Sequence, residues 1–213
     1  DICGITQKDL ETIFPDYLHD VDLEEVKRWY DGYNFRGNQL YNPYDILMFL
    51  WSKEYKSYWF ETGTPAFLAE LLTRRGFFTP AMDKLRVDES ILSAFDVEYI
   101  STEALLWQTG YLTFIGSRVL GARKEYTLGY PNLEVESALN DALAKALVGN
   151  PEHVSELTSR LYDLLVANDF DSLKQHFESL FAAIPHDWYR HNPIARYEGY
   201  YASIFYRDRK SVV

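Results

Sequence analysis

The stretch EALLWQTGYLTFIGSRVLGARKEYTLGYPNLEVESALNDALAKALV, Glu103 to Val148, decides the fold. Ser101 or Thr102 stands where an N-cap belongs and Gly110 where a helix stops, so EALLWQTG reads as a short helix. YLTFIGSRV and KEYTLGY follow as two strand-like runs, with Gly121 between them at a loop tip. Asn132 then caps a long helix to about Val148. Its expected core stripe is Val135, Leu139, Leu143, Ala146 and Leu147. Helix, β-ribbon and helix in this order read as a winged-helix-like segment, which makes the chain mainly α with an α+β element.

Upstream, Thr6 with Asp9 reads as the cap of a short helix through Phe14, and Asp22 with Glu25 as a capping-box-like pair before VKRWY. Gly32 and Gly37-Asn38 read as turns of a tight segment or small hairpin. Asn42 can cap and Pro43 suits the first helical position of a helix to about Trp51. Thr64-Pro65 repeats that pattern for a helix through Arg75 that stops at Gly76. Residues 77–100 carry no clear period; VDESILSAFD reads as a loop with a short helix. Downstream, Asn150-Pro151 opens a helix with Val154, Leu157, Leu161, Leu164 and Leu165 on one face. Asp171 opens another, with Leu173, Phe177, Leu180, Phe181 and Ile184 inward.

With 213 residues, 47% of them hydrophobic and 16% aromatic, the chain can bury real cores as one domain or two small ones. The net charge of −11 opposes a general nucleic-acid surface. Cys3 is the single cysteine, which excludes an internal disulfide and a cysteine zinc site and fits a reducing cytoplasm. No apolar run reaches the length of a membrane span.

Two groups of motifs carry a resemblance. The first is WYDGYNFRGNQLYNPYDILMFL (Trp29–Leu50) with YWFETGTPAFL (Tyr58–Leu68); the second is LLWQTGYLTF (Leu105–Phe114) with YTLGYPNLEVESALN (Tyr126–Asn140). Together they resemble the carboxy-terminal half of the AAA-ATPase-like domain of mainly bacterial proteins. YEGYYASIFY (Tyr197–Tyr206) is similar to the opening helix of the PD-(D/E)XK nuclease-like domain that usually follows in that family. The resemblance implies a helical lid-like part over residues 1–100 and a winged-helix-like segment over 101–150. A helical linker with the first nuclease-like helix would occupy 151–207. The tail 208–213, DRKSVV, is encodable by a string that looks like a common sequencing adapter, and it is expected to be an artefact on a truncated fragment that opens at Asp1 rather than Met.

What the resemblance implies for chemistry is a non-catalytic fragment. The phosphate-gripping loop G-x-x-x-x-G-K followed by Ser or Thr does not occur, and no glycine precedes a lysine. The Asp and Glu-x-Lys of the nuclease, which would hold a divalent ion on adjoining strands, are expected after Val213. ATP and Mg are therefore implied for the parent protein and no cofactor or metal for this fragment. Its implied partners are the ATPase core and nuclease-like domain of the same chain, with nucleic acid for the parent and no membrane. The expected role is coupling nucleotide state to the nuclease-like module; the alternative is a winged-helix module that binds nucleic acid or protein.

Several residues are candidates for that role. Trp29, Tyr30, Asp31, Gly32 and Tyr33 read either as the contact between core and lid, with Arg28 reaching phosphate, or as a glycine turn clamped by aromatic rings. Asn42-Pro43 and Gly63 mark helix starts. Gln108, Thr109, Gly110 and Tyr111 form the junction of helix and ribbon. Only Gln108 on that helix suits base reading, beside Glu103, Leu105, Leu106 and Trp107, so the helix is expected to pack against protein. Arg118, Arg123 and Lys124 on the ribbon suit phosphate. Glu198 matches the metal-holding glutamate of the nuclease-like opening helix, the one candidate catalytic residue. His19, His153, His176, His186 and His191 lack metal-site spacing.

Overall fold

Side-chain caps set most helix starts in this chain. The computed structural model describes residues 4–34, 37–62, 66–77, 79–93, 100–148 and 151–182. α1 (Gln7–Ile13) opens on a reciprocal box: Asp9 N donates to Thr6 Oγ1 at 3.0 Å, and Thr6 N donates to Asp9 Oδ2 at 3.0 Å. α2 (Leu23–Tyr30) opens on Asp22, which accepts from the amides of Glu24 and Glu25. The Glu25 carboxylate, expected to complete a box there, instead accepts from Trp29 Nε1 at 3.0 Å and pairs with Arg28.

β1 (Tyr33–Asn34) and β2 (Gln39–Leu40) form the small hairpin, antiparallel with Tyr33 opposite Leu40. α3 (Pro43–Ser52) starts on Asn42, whose Oδ1 accepts from Tyr44 N at 3.0 Å; Pro43 occupies the first position, where no amide is missed. α4 (Tyr58–Thr62) follows. α5 (Ala66–Arg74) stops at Gly76, where Gly76 N donates to Thr73 O and Phe77 N to Leu72 O.

The unreadable region 77–100 supplies β3 (Leu85–Asp88), flanked by 3-10 turns at Thr79–Lys84 and Glu89–Ser93. Ser101, rather than Thr102, caps α6 (Thr102–Gln108), accepting from Ala104 N at 3.1 Å. β4 (Thr113–Leu120) and β5 (Arg123–Gly129) form the expected ribbon, turning at Gly121 with φ +62°. The sheet has a third strand, in the order β3-β5-β4 and antiparallel throughout, with Leu85 and Phe114 both paired to Leu128. α7 (Leu133–Val148) starts on Asn132, which accepts from Val135 N at 3.0 Å. α8 (Pro151–Ala167) and α9 (Phe170–Ala182) complete the described chain. The cap of α9 is Asp169 and not Asp171, since Asp169 Oδ1 accepts from Ser172 N at 3.1 Å. The chain is thus mainly α with small antiparallel sheets.

The chain divides into two compact units, Asp1–Thr64 with Ala81–Leu139, and Pro65–Pro80 with Asn140–Val213. This division crosses the sequence-based segments 1–100 and 101–150 and falls inside α7. In the first unit Leu10, Val26, Tyr30, Tyr41, Ile46, Phe49, Leu50 and Tyr58 form one core cluster. Tyr30 serves there as a polar staple as well as an apolar body: its hydroxyl donates to Lys56 O and accepts from Lys56 N, both at 3.0 Å. In the second unit α8 packs on α9, with Val154, Leu157, Leu161, Leu173 and Leu180 buried. Of the stripe expected on α7, Val135, Leu139 and Leu143 are buried; Ala144 is buried, whereas Ala146 is half-buried. The expected terminal helix with Glu198, the tail 208–213, the 151–207 segment beyond 182 and Gly63 lie outside the described residues.

Candidate functional site

The separated motifs of the first unit meet at one junction. Gly32 has φ +118°, and a methyl there would sit 1.8 Å from the Pro131 carbonyl oxygen. Only glycine lets the turn after α2 pass the strand-to-helix turn before α7. Asp31, 5% exposed, accepts from Gly32 N at 2.8 Å. Burial raises the Asp31 carboxyl above its ordinary range, against the pull of that amide and of Lys27. Asp31 therefore holds its own turn. Asn34 and Thr113 exchange two hydrogen bonds: Asn34 N donates to Thr113 Oγ1 at 2.8 Å, and the hydroxyl donates to Asn34 O at 3.2 Å. β1 is thereby tied to the start of β4.

Aromatic rings surround this junction. Tyr111, just past α6, lies 5.3 Å from Trp59 and 5.7 Å from Phe60, centroid to centroid. Gly110 has φ +82° and leaves room beside the rings of Tyr33 and Trp59. Trp29 packs on Tyr30 and Tyr55. The structure thus brings Tyr30, Asp31, Gly32, Tyr33, Gly110 and Tyr111 to one neighbourhood, with Asn42 and Pro43 at its edge; the Asn42 side chain lies near Tyr33. Arg28 stays on the outer face of α2 in its pair with Glu25 at 3.4 Å, and Gln108 and Thr109 are exposed.

At the centre lies a pair of residues the sequence reading passed over. Asp45 stands in the first turn of α3 and Glu134 in the first turn of α7, and both are completely buried. Glu134 Oε1 accepts from Trp59 N at 2.8 Å. Were both carboxyls ionised, no protein donor would reach either Asp45 oxygen or Glu134 Oε2. The two carboxyls lie close enough for each to act on the other's ionisation, and a proton on one would let it donate to the other. Burial pushes both upward from the ordinary carboxyl range, and Glu134 rises further because the Asp45 charge lies beside it. The sequence signal was present in NPYD and PNLE, each an Asn cap followed closely by an acid. A helix start favours an exposed carboxylate at such a place, and nothing local says that both are covered.

Phosphate and magnesium do not fit this junction. The amides of Tyr44 and Val135, which an anion would need at the two helix starts, are taken by the Asn42 and Asn132 side chains. The Trp59 N–H aims at the carboxyls, and a donor is the wrong group to face a cation. Among the described residues no group of three or more His, Cys, Asp or Glu could hold a metal ion. No described helix is long and apolar enough to cross a membrane.

The chain is 51% identical over 205 residues to an uncharacterized protein in the vnfD 5' region of Azotobacter chroococcum mcd 1. The match takes in 96% of this chain but 40% of that relative. No family model matches the chain. No solved structure matches it either.

Proposed function

We propose that this chain is a non-catalytic connecting part of a longer AAA-ATPase-like, PD-(D/E)XK nuclease-like protein of the cytoplasm. Its task is to pass the nucleotide state of the ATPase core to the nuclease-like module by rigid-body movement. The observation that carries this reading is the junction itself. Gly32 against Pro131, Asn34 with Thr113, and Trp59 with Glu134 join distant stretches through backbone-level contacts, so none of them shifts alone. The chain spans 40% of the uncharacterized relative's length, which suits a part of a longer protein. The test uses the full-length gene product with and without ATP and Mg. Amide exchange at residues 29–34 and 108–113 should change on nucleotide binding; failure of the full-length protein to bind nucleotide would sink the reading.

A specific observation favours protein docking as the second reading. Beyond Phe114 every residue of β4 is exposed, with Ile115 at 50%, Val119 at 72% and Leu120 at 48%. The ribbon cations are largely engaged on the ribbon: Arg118 Nε donates to Glu125 at 2.6 Å, and Lys124 lies over the Tyr126 ring. Apolar side chains flanked by neutralised cations suit a protein surface better than a phosphate backbone. A mobility-shift assay at low salt separates the two, and retardation of DNA of any sequence would favour nucleic acid.

A further inference from the structure

Asp45 and Glu134 have a chemistry that the coupling role does not use. Two buried carboxyls invite three readings. An acid–base pair for catalysis needs access to substrate, and neither residue has any exposed surface. A cation site needs oxygen donors around the ion, and here an N–H donor enters the group from Trp59 at 2.8 Å. A shared proton fits what is present: Glu134 Oε1 already bonded to the Trp59 amide, and three further buried carboxyl oxygens with no other partner.

From this geometry we infer that Asp45 and Glu134 share a single proton and form a latch that holds the start of α7 against α3 and α4. In the closed state the shared proton lies between Asp45 and Glu134 Oε2, while Glu134 Oε1 accepts from Trp59 N. Ser57 Oγ adds a long contact to Glu134 O at 3.5 Å, on the same side of the latch. Opening α7 exposes both carboxyls to water, where each ionises and one proton is released to solvent. The link runs both ways: removal of the proton leaves two charges in contact without water, and their repulsion drives the helix start away.

The groups around the pair do not offset this. Tyr30 from α2 and Tyr33 from β1 feel the charges of both carboxyls, and burial raises their own phenols, so they stay neutral. From α4 come the backbone amides of Trp59 and Tyr58, which favour the ionised form but are outweighed by burial. Tyr111 is likewise raised by burial. Lys56, which precedes α4, lies over the Tyr58 ring at 5.1 Å. The folded chain therefore holds a proton that the unfolded chain releases. Stability from the latch is complete below the ordinary carboxyl range and drains as pH rises into the alkaline range.

The test uses the whole 213-residue chain. Infrared spectra of the wild type near neutral pH should show the carbonyl stretch of a protonated carboxylic acid, and Glu134→Gln should remove it. Exchange at the Trp59 amide, corrected for hydroxide catalysis, should accelerate about tenfold as pH rises to about 9.5 in the wild type. Glu134→Gln, whose amide keeps both hydrogen bonds, should stay flat. Should that variant fold poorly, Asp45→Asn gives the second reading: it removes the neighbouring charge, so the transition should move to lower pH. Lack of the infrared band in the wild type, or an unchanged transition in either folded variant, overturns the latch.

Discussion

At the scale of single residues, Gly32 has least freedom. A methyl group there meets the Pro131 carbonyl at 1.8 Å, in a backbone conformation that side chains seldom tolerate. Gly32→Ala should lower unfolding free energy by about 3 kcal/mol, combining backbone strain with forced separation of the two turns. Urea denaturation followed by tryptophan fluorescence measures this, and a loss below about 0.5 kcal/mol would mean that the turns can part freely. Gly32 was legible as a turn residue because turn chemistry is local. Its meeting with Pro131 was not, since the sequence carries no record of which chain passes nearby. Asp45 and Glu134 show the same limit: NPYD and PNLE state where helices start, but burial of their acids depends on how those helices pack.

At the scale of elements, caps were read well wherever one polar side chain stood before a periodic run. Thr6, Asp22, Asn42 and Asn132 all cap as expected. The start of α9 was misplaced because NDFDS offers two aspartates, and periodicity cannot separate them. Asp169→Ala should therefore lower the melting temperature more than Asp171→Ala; the reverse order would restore Asp171 as the cap. β3 was missed because four residues give too short an alternation and its partner β5 is distant in sequence. Within the α8–α9 pair, His176 is 4% exposed and its Nε2 has no protein partner. Burial lowers its imidazole below 6.5, aided by Arg160, while a backbone hydrogen bond to Leu157 opposes. The unfolded chain thus binds a proton that the folded chain resists, so stability drops as pH falls below about 6.5. His176→Leu should flatten this acid-side loss of stability, checked by denaturation at pH values on both sides of that point.

At the scale of the molecule, the mainly α class was legible from helical periodicity and the ribbon from its two strand-like runs. The two-unit division was not, because it interleaves distant segments. The apolar face of β4 belongs to this scale too, since its effect is on association rather than on folding. Val119→Glu with Leu120→Glu should change stability by less than about 0.5 kcal/mol while reducing self-association or partner capture. Sedimentation beside a denaturation curve distinguishes those outcomes, and a large fall in stability would place these side chains in a core. Finally, Gly121 turns the hairpin with φ +62° in open space, where even a methyl group would touch nothing. Between Gly121 and Ala122 the chain offers a natural point for a reporter: a fluorophore or short epitope inserted there would report on the ribbon's surroundings while leaving the aromatic junction untouched.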